Sequence, residues 1–123
     1  MEFKTDRPIY LQIAEGIMDA ILAGTYGPGG RLPSVREYGA RVEVNFNTVM
    51  RSYDWLQQQG IIYNRRGIGF FVAEDAPGRI VDMRREVFFR DEMSYFFSRI
   101  HTFGITPDAL ADMYFNYLAS HRS

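Results

Sequence analysis

Residues 45–60 read NFNTVMRSYDWLQQQG. Val49, Tyr53 and Leu56 recur at the i, i+4, i+7 spacing of a helix with one buried stripe. Ser52, beside that stripe, is small enough for another element to approach closely. Asn45 suits the N-cap, where its side-chain oxygen can accept from a first-turn N–H. The same turn also carries Asn47 and Thr48, with Arg51 one turn further on. At ~100° of rotation per residue these three lie within roughly 100° of one another, on the far side from the stripe. A helix that only had to fold would not need that polar opening. Gly60 ends it.

Upstream, SVREYGARVE (residues 34–43) starts with Ser34 and Glu37 at the S-x-x-E spacing of a capping box. Val35, Tyr38 and Val42 share one side of this short helix, and Arg36 points elsewhere from its first turn. Before it, TYGPGGRLP (residues 25–33) is dense in turn formers and cannot be regular structure. The first element is RPIYLQIAEGIMDAILAG (residues 7–24), with Pro8 at the first helical position and Asp6 or Thr5 as the cap. Ile9, Ile13, Ile17, Ala20 and Ile21 form its core stripe, and Gly24 is its stop.

Downstream, IIYNRRGIGFFV (residues 61–72) reads as two short strands, Ile61–Tyr63 and Phe70–Val72 at their centres, around a turn near Arg65, Arg66 and Gly67. Two helices with a short turn and then a hairpin amount to a winged helix-turn-helix. EDAPGR (residues 74–79) has the composition of a linker. Residues 80–103 follow as a helix in which Phe89, Met93, Phe96, Ile100 and Phe103 step by 4, 3, 4 and 3, the seam of a helix that meets another helix. Gly104 stops it. Thr106 and Pro107 begin a last helix with Leu110, Met113, Tyr114, Tyr117 and Leu118 on one face. The fold class expected is mainly α with a small β-hairpin. A winged helix-turn-helix over residues 1–75 precedes a two-helix C-terminal dimerisation segment over residues 76–123.

The chain has 123 residues, 46% hydrophobic and 24% charged, as one domain or one domain with an appendage would have. No apolar run approaches the ~18 residues of a bilayer span. MEFKTDRPIY (residues 1–10) lacks the basic-then-apolar pattern of an export signal, so a cytoplasmic protein with no membrane partner is expected. Cysteine is absent, which removes disulfides, thiolate nucleophiles and cysteine-based zinc sites. The two histidines, His101 and His121, fall in different helices, and Asp82, Glu86, Asp91 and Glu92 read as a solvated helix face. No catalytic residue, metal site or cofactor is expected.

Net charge is −1, but its distribution is uneven. Residues 31–72 carry six arginines against Glu37, Glu43 and Asp54, whereas residues 1–30 carry Lys4 and Arg7 against four acids. A basic segment in a near-neutral chain fits a local footprint for a polyanion. A helix laid in a DNA major groove needs hydrogen-bonding groups in its first turn: Asn for adenine, Arg for guanine, Thr for a base or phosphate. Residues 45–51 supply them there. The helix N-terminus would add its positive dipole end against a phosphate. For Asn45 alone, a cap and a base contact are both open. Arg65 and Arg66 at the hairpin tip can reach flanking phosphates or the minor groove, and Gly67 lets the backbone come close.

GGRLPSVREYGARVEVNFNTVMRSYDWLQQQGIIYNRRGIGFFV (residues 29–72) closely resembles the winged-helix domain of the GntR family of bacterial transcription regulators. The shared pattern is G-x-x-L-P-S-x-R, V-x-x-N-T-V, L-x-x-x-G-(I/L)-I and R-x-G-x-G-x-F-V, and the likeness extends over about residues 8–73. The NxNTV and SY variant with a short two-helix tail resembles the YtrA-like subfamily. The resemblance implies a dimeric repressor, often of an operon encoding an ABC transporter and often its own. It implies DNA contacts from Ser34, Arg36, Asn45, Asn47, Thr48, Arg51, Arg65, Arg66 and Gly67, with residues 45–59 in the major groove and residues 61–72 on the flanking backbone or minor groove.

Phe46 and Met50 stand where relatives often have basic residues, so base preference does not carry across. Tyr38 and Gly39 replace a usual Leu-Ala pair, a change of packing. Trp55 falls on the wetter side of its helix and is assigned no role beyond packing on the wing or on a partner.

The tail is near the ~40-residue limit for independent folding. Phe89, Met93, Phe96, Ile100, Phe103, Tyr114 and Tyr117 are therefore expected to meet either the winged helix or, in preference, a second copy. A two-fold dimer would read an inverted-repeat double-stranded operator with half-sites ~34 Å apart. Any small-molecule effector would sit in the dimer interface or between tail and winged helix, and the sequence names none. The alternative reading is a winged helix that binds protein and not DNA. A remnant of the GntR-type regulators fused to aminotransferases would need a pyridoxal-phosphate lysine, and Lys4 is the only lysine.

Overall fold

A computed structural model of the chain describes residues 6–122. Helix α1 (Ile9–Leu22) is followed by α2 (Val35–Val42) and α3 (Phe46–Gln58), then by strands β1 (Ile62–Arg65) and β2 (Gly69–Val72). Helices α4 (Ala76–Val87), α5 (Met93–Thr102) and α6 (Pro107–Ser120) complete it.

Pro8 is the cap of α1 and not its first helical residue: its ψ of 143° is extended, and its carbonyl accepts from Leu11 and Gln12 at 3.1 and 3.2 Å. Asp6 therefore stands two residues before the cap, and α1 has no side-chain cap hydrogen bond, while Thr5 lies outside the described residues. The buried face is Ile13, Ala14, Ile17, Met18 and Ile21. Ile9 is exposed and Ala20 half-buried: at ~100° per residue both lie about 100° from the centre of the face that Ala14 and Met18 complete.

The capping box of α2 forms in both directions: Glu37 N donates to Ser34 Oγ at 3.1 Å, and Ser34 N donates to the Glu37 carboxylate at 3.3 Å. Hydrogen bonds donated to it, by the Ser34 hydroxyl first and by the Ser34 backbone N–H, hold the Glu37 carboxyl below its ordinary pKa. The turn into α3 is tight. Val44 N donates to the Gly39 carbonyl at 3.0 Å, and a Cβ on Gly39 would stand 2.9 Å from the Val44 carbonyl oxygen. Glu43 takes the left-handed conformation there, at φ 59°.

Val49, Ser52, Tyr53 and Leu56 of α3 have no exposed surface. The Ser52 hydroxyl donates to the Tyr10 carbonyl of α1 at 2.6 Å, which joins the two helices across the core. The Tyr53 hydroxyl donates to the Pro33 carbonyl at 2.7 Å, and its ring meets Phe70 edge-on at 4.9 Å. Burial drives the Tyr53 phenol well above its ordinary pKa, so it stays a donor.

The strands pair antiparallel in the register Ile62↔Val72 to Arg65↔Gly69. Their loop is Arg66, Gly67 and Ile68, with Gly67 at φ 76°, a three-residue hairpin with its left-handed residue a glycine. Only the base of the hairpin is buried, through Ile61, Ile62 and Val72. The turn-rich stretch before α2 is not wholly irregular. Gly29 and Gly30 exchange hydrogen bonds with Val72 at 2.8 and 2.9 Å, Leu32 N donates to Phe70 O at 2.9 Å, and Arg31 bridges Phe71.

Of the linker expected at residues 74–79, Glu74 and Asp75 form a turn and residues 76–79 are instead the start of α4. Pro77 lies in the first turn, where its missing N–H is not needed, and Ala76 and Ile80 are fully buried one turn apart. Arg79 pairs with Asp75 at 2.8 Å across that turn. By internal contacts the chain divides into two compact units, one ending at Met83 and the other beginning at Arg84.

In the second unit the helix from Arg84 runs through a π-helical segment, Phe88–Glu92, before α5. Phe89 lies inside that segment, so the heptad spacing counted from it does not map onto one regular α-helical stripe. Gly104, at φ 68°, ends α5, and Thr106 caps α6 by accepting from Ala109 N at 3.2 Å. None of the described residues from Arg84 onward is buried.

Candidate nucleic-acid interface

The first turn of α3, the first turn of α2 and the hairpin tip carry the expected polar groups. Asn47 and Arg51 are exposed and Thr48 half-buried, on the side of α3 away from Val49, Tyr53 and Leu56. The helix is held at two places by its buried face, through the Ser52 and Tyr53 hydroxyls, so its polar face is presented on a fixed support.

Two of the expected contacts are partly engaged already. The Asn45 side-chain oxygen accepts from Thr48 N at 2.9 Å, and the Ser34 hydroxyl accepts from Glu37 N. For both, the structure realises the capping role. Asn45 retains a donor, its amide N–H₂, while the Ser34 hydroxyl is engaged with Glu37 as both acceptor and donor.

Two aromatic residues that sequence patterns did not assign to the site stand under its arginines. The Arg51 guanidinium lies over the Tyr10 ring of α1, 4.2 Å from its centre. Tyr10 also borders a groove with Pro8, Ile9, Asn47, Thr48 and Arg51, so the start of α1 belongs to the same surface as the start of α3. The Arg36 guanidinium sits 5.5 Å from the centre of the Phe46 ring. Tyr10 carries one sequence signal: it is a polar-tipped aromatic beside the apolar stripe of α1. The pairing itself crosses two elements and has no local signature.

At the hairpin, Arg65 lies 5.5 Å over the Phe71 ring, and Phe71 stacks on Tyr63 at 5.9 Å. Arg66 and Gly67 are exposed at the tip, with open space around the position of a Gly67 Cβ. Arg31 plays a structural part. It donates to the Ile68 carbonyl at 2.8 Å and lies against Gly69, tying the tip to the segment before α2. All six arginines between residues 31 and 72 are exposed, and Trp55 is half-buried at the edge of the core.

Among the described residues no group of histidine, cysteine, aspartate or glutamate could hold a metal ion, and no helix is long and apolar enough to cross a membrane. In the second unit, considered by itself, Phe89, Phe96, Phe103, Tyr114 and Tyr117 are exposed, while Met93 and Ile100 are half-covered.

Three helices whose second and third are joined by a tight turn, followed by a two-stranded wing, define the winged-helix DNA-binding fold. The sequence pattern of the bacterial regulatory proteins of the gntR family matches residues 9–72, and this chain belongs to that family of transcriptional regulators. The transcriptional repressor YtrA of Bacillus subtilis is 38% identical over 64% of this chain and 61% of its own length. The crystal structure of a GntR-family regulator from Bacteroides thetaiotaomicron matches with a TM-score of 0.83 at 48% identity, over 93% of this chain and 99% of that one. The DNA-binding domain of AraR in complex with its operator ORR3 matches at 29% identity and a TM-score of 0.54, over 59% of this chain and 88% of that one. The family and these relatives are regulators and not enzymes.

Proposed function

We propose that the chain is a homodimeric repressor that binds a specific double-stranded operator, with α3 in the major groove and the hairpin as a wing on the flanking backbone or minor groove. The observation that carries this reading is the division of α3. One face has no exposed surface at Val49, Ser52, Tyr53 and Leu56, while Asn47 and Arg51 stand clear at the helix's first turns. In this reading Asn47, Thr48 and Arg51 read base edges, with Arg36 beside them. Ser34, Asn45, Arg65, Arg66 and Gly67 fix register through phosphates.

The second unit supplies the dimer. It exposes Phe96, Phe103, Tyr114 and Tyr117 and holds no buried residue among those described, so it has a face to cover and no core of its own. A second copy covers it and sets two copies of α3 about one helical turn apart, ~34 Å, on an inverted repeat. Repression of its own operon is the mode of control we infer, in keeping with the relative named a transcriptional repressor.

Footprinting of the purified chain on the region upstream of its own gene tests the reading. The expected result is one protected inverted repeat, with equilibrium sedimentation giving two chains per particle. Arg51→Ala should cost ~1–3 kcal/mol of binding and relax specificity at its base pair. No protection at low ionic strength, or protection unchanged in Arg51→Ala, would overturn the groove placement.

A further inference from the structure

Phe46 is the first residue of α3, yet 47% of its surface is exposed. A large apolar ring at that place is not doing the work of the core. Its neighbours are the Arg36 guanidinium, 5.5 Å from the ring centre, and a shallow groove edged by Val35, Gly39, Ala40 and Val44. Its chain neighbours are Asn45 and Asn47, both exposed. An apolar surface ringed by hydrogen-bonding and cationic groups fits a target that is mostly polar and anionic with one apolar spot. The C5-methyl of thymine is the apolar group a base pair presents in the major groove.

We propose that Phe46 is a specificity-determining residue whose ring covers a thymine C5-methyl. Arg36 rests on the ring and reaches the same step of the duplex. A guanidinium lying on a ring face keeps its in-plane N–H groups free to donate to guanine or to a phosphate. The proposal rests on the placement of α3 in the major groove argued above, and adds a contact that the hydrogen-bonding residues of α3 do not provide.

The test uses the full chain and a library of randomised duplexes. Duplexes enriched by binding are resynthesised with each thymine in turn replaced by deoxyuridine, which keeps every hydrogen bond and removes only the methyl. The expected result is one position per half-site where affinity falls about fourfold, the equivalent of ~0.8 kcal/mol for one buried methyl. In Phe46→Ala, thymine and deoxyuridine should bind alike at that position. Insensitivity of the unmodified protein to deoxyuridine everywhere would overturn the proposal, as would a full thymine preference in Phe46→Ala. In either case the enriched sequence would leave the groove placement standing. A library in which no sequence is enriched would overturn the groove placement itself and the proposal with it. The deoxyuridine scan on the unmodified protein holds whether or not a variant folds.

Discussion

Tyr10 is attached to α3 by both its ends: its carbonyl accepts the Ser52 hydroxyl at 2.6 Å, and its ring lies under the Arg51 guanidinium at 4.2 Å. The backbone bond belongs to the core and the ring contact to the exposed surface. One residue of α1 thus fixes where α3 lies and where its arginine points.

The ring contact separates the two roles. A cation–π contact at a surface is worth ~0.5–1 kcal/mol. Tyr10→Leu should lower operator affinity about two- to fivefold with the melting midpoint little changed, and Tyr10→Phe should restore it. In an Arg51→Ala background the Tyr10→Leu effect should vanish. A binding cycle over the four variants measures this, and equal losses in both backgrounds would refute it.

Ser52→Ala removes the backbone link alone. It removes the side-chain donor to the Tyr10 carbonyl and should destabilise the fold by ~1 kcal/mol, read as a lower urea midpoint at unchanged slope. Ser52→Leu should cost more, ~1–3 kcal/mol, because the position has no exposed surface and α1 stands against it.

Alkali should act through Tyr53. Its phenol is buried and its pKa raised from 10.0, so the folded chain holds the proton more tightly than the unfolded chain. A raised folded pKa gives stability that is complete below pH 10 and is lost progressively as pH rises above it. Tyr53→Phe should cost ~1 kcal/mol at neutral pH and flatten that alkaline decline. Urea midpoints at pH 8 and above pH 10 check the sign. An equally steep decline in the variant would assign it elsewhere.

The hairpin arginines should differ in what they hold. Arg66→Ala is expected to weaken all duplex sequences alike and lower the slope of binding against salt by about one. Arg31→Ala removes the bond that ties the tip at Ile68, so it should raise hydrogen exchange in the loop as well as weaken binding.

Sequence patterns revealed the winged helix and its caps because their signals are local. Val49, Tyr53 and Leu56 announce their shared face by period. Ser34 with Glu37, Asn45, and Thr106 with Pro107 announce helix starts by spacing, and all of these form. The start of α4 was hidden because Pro77 and Gly78 imitate a linker, while the burial of Ala76 and Ile80 that makes a helix there comes from tertiary packing. The π-helical segment at Phe88–Glu92 has no pattern of its own and disturbs one that looked regular. At the surface, exposure of the α3 polar face was legible from the period of its buried face. The pairings Tyr10 with Arg51, Phe46 with Arg36 and Arg31 with Ile68 were not, since each joins residues that no single helix or strand brings together.

The absence of buried side chains among the described residues from Arg84 onward has a thermodynamic result. Covered by a second copy, such a segment obeys mass action: its melting should shift upward as total protein is raised, while the winged helix, with its own core, melts at one temperature at any dilution. If a second copy is the cover, the abundance of the regulator itself sets how much of it is competent. Dilution would then disarm the molecule without unfolding the part that reads DNA.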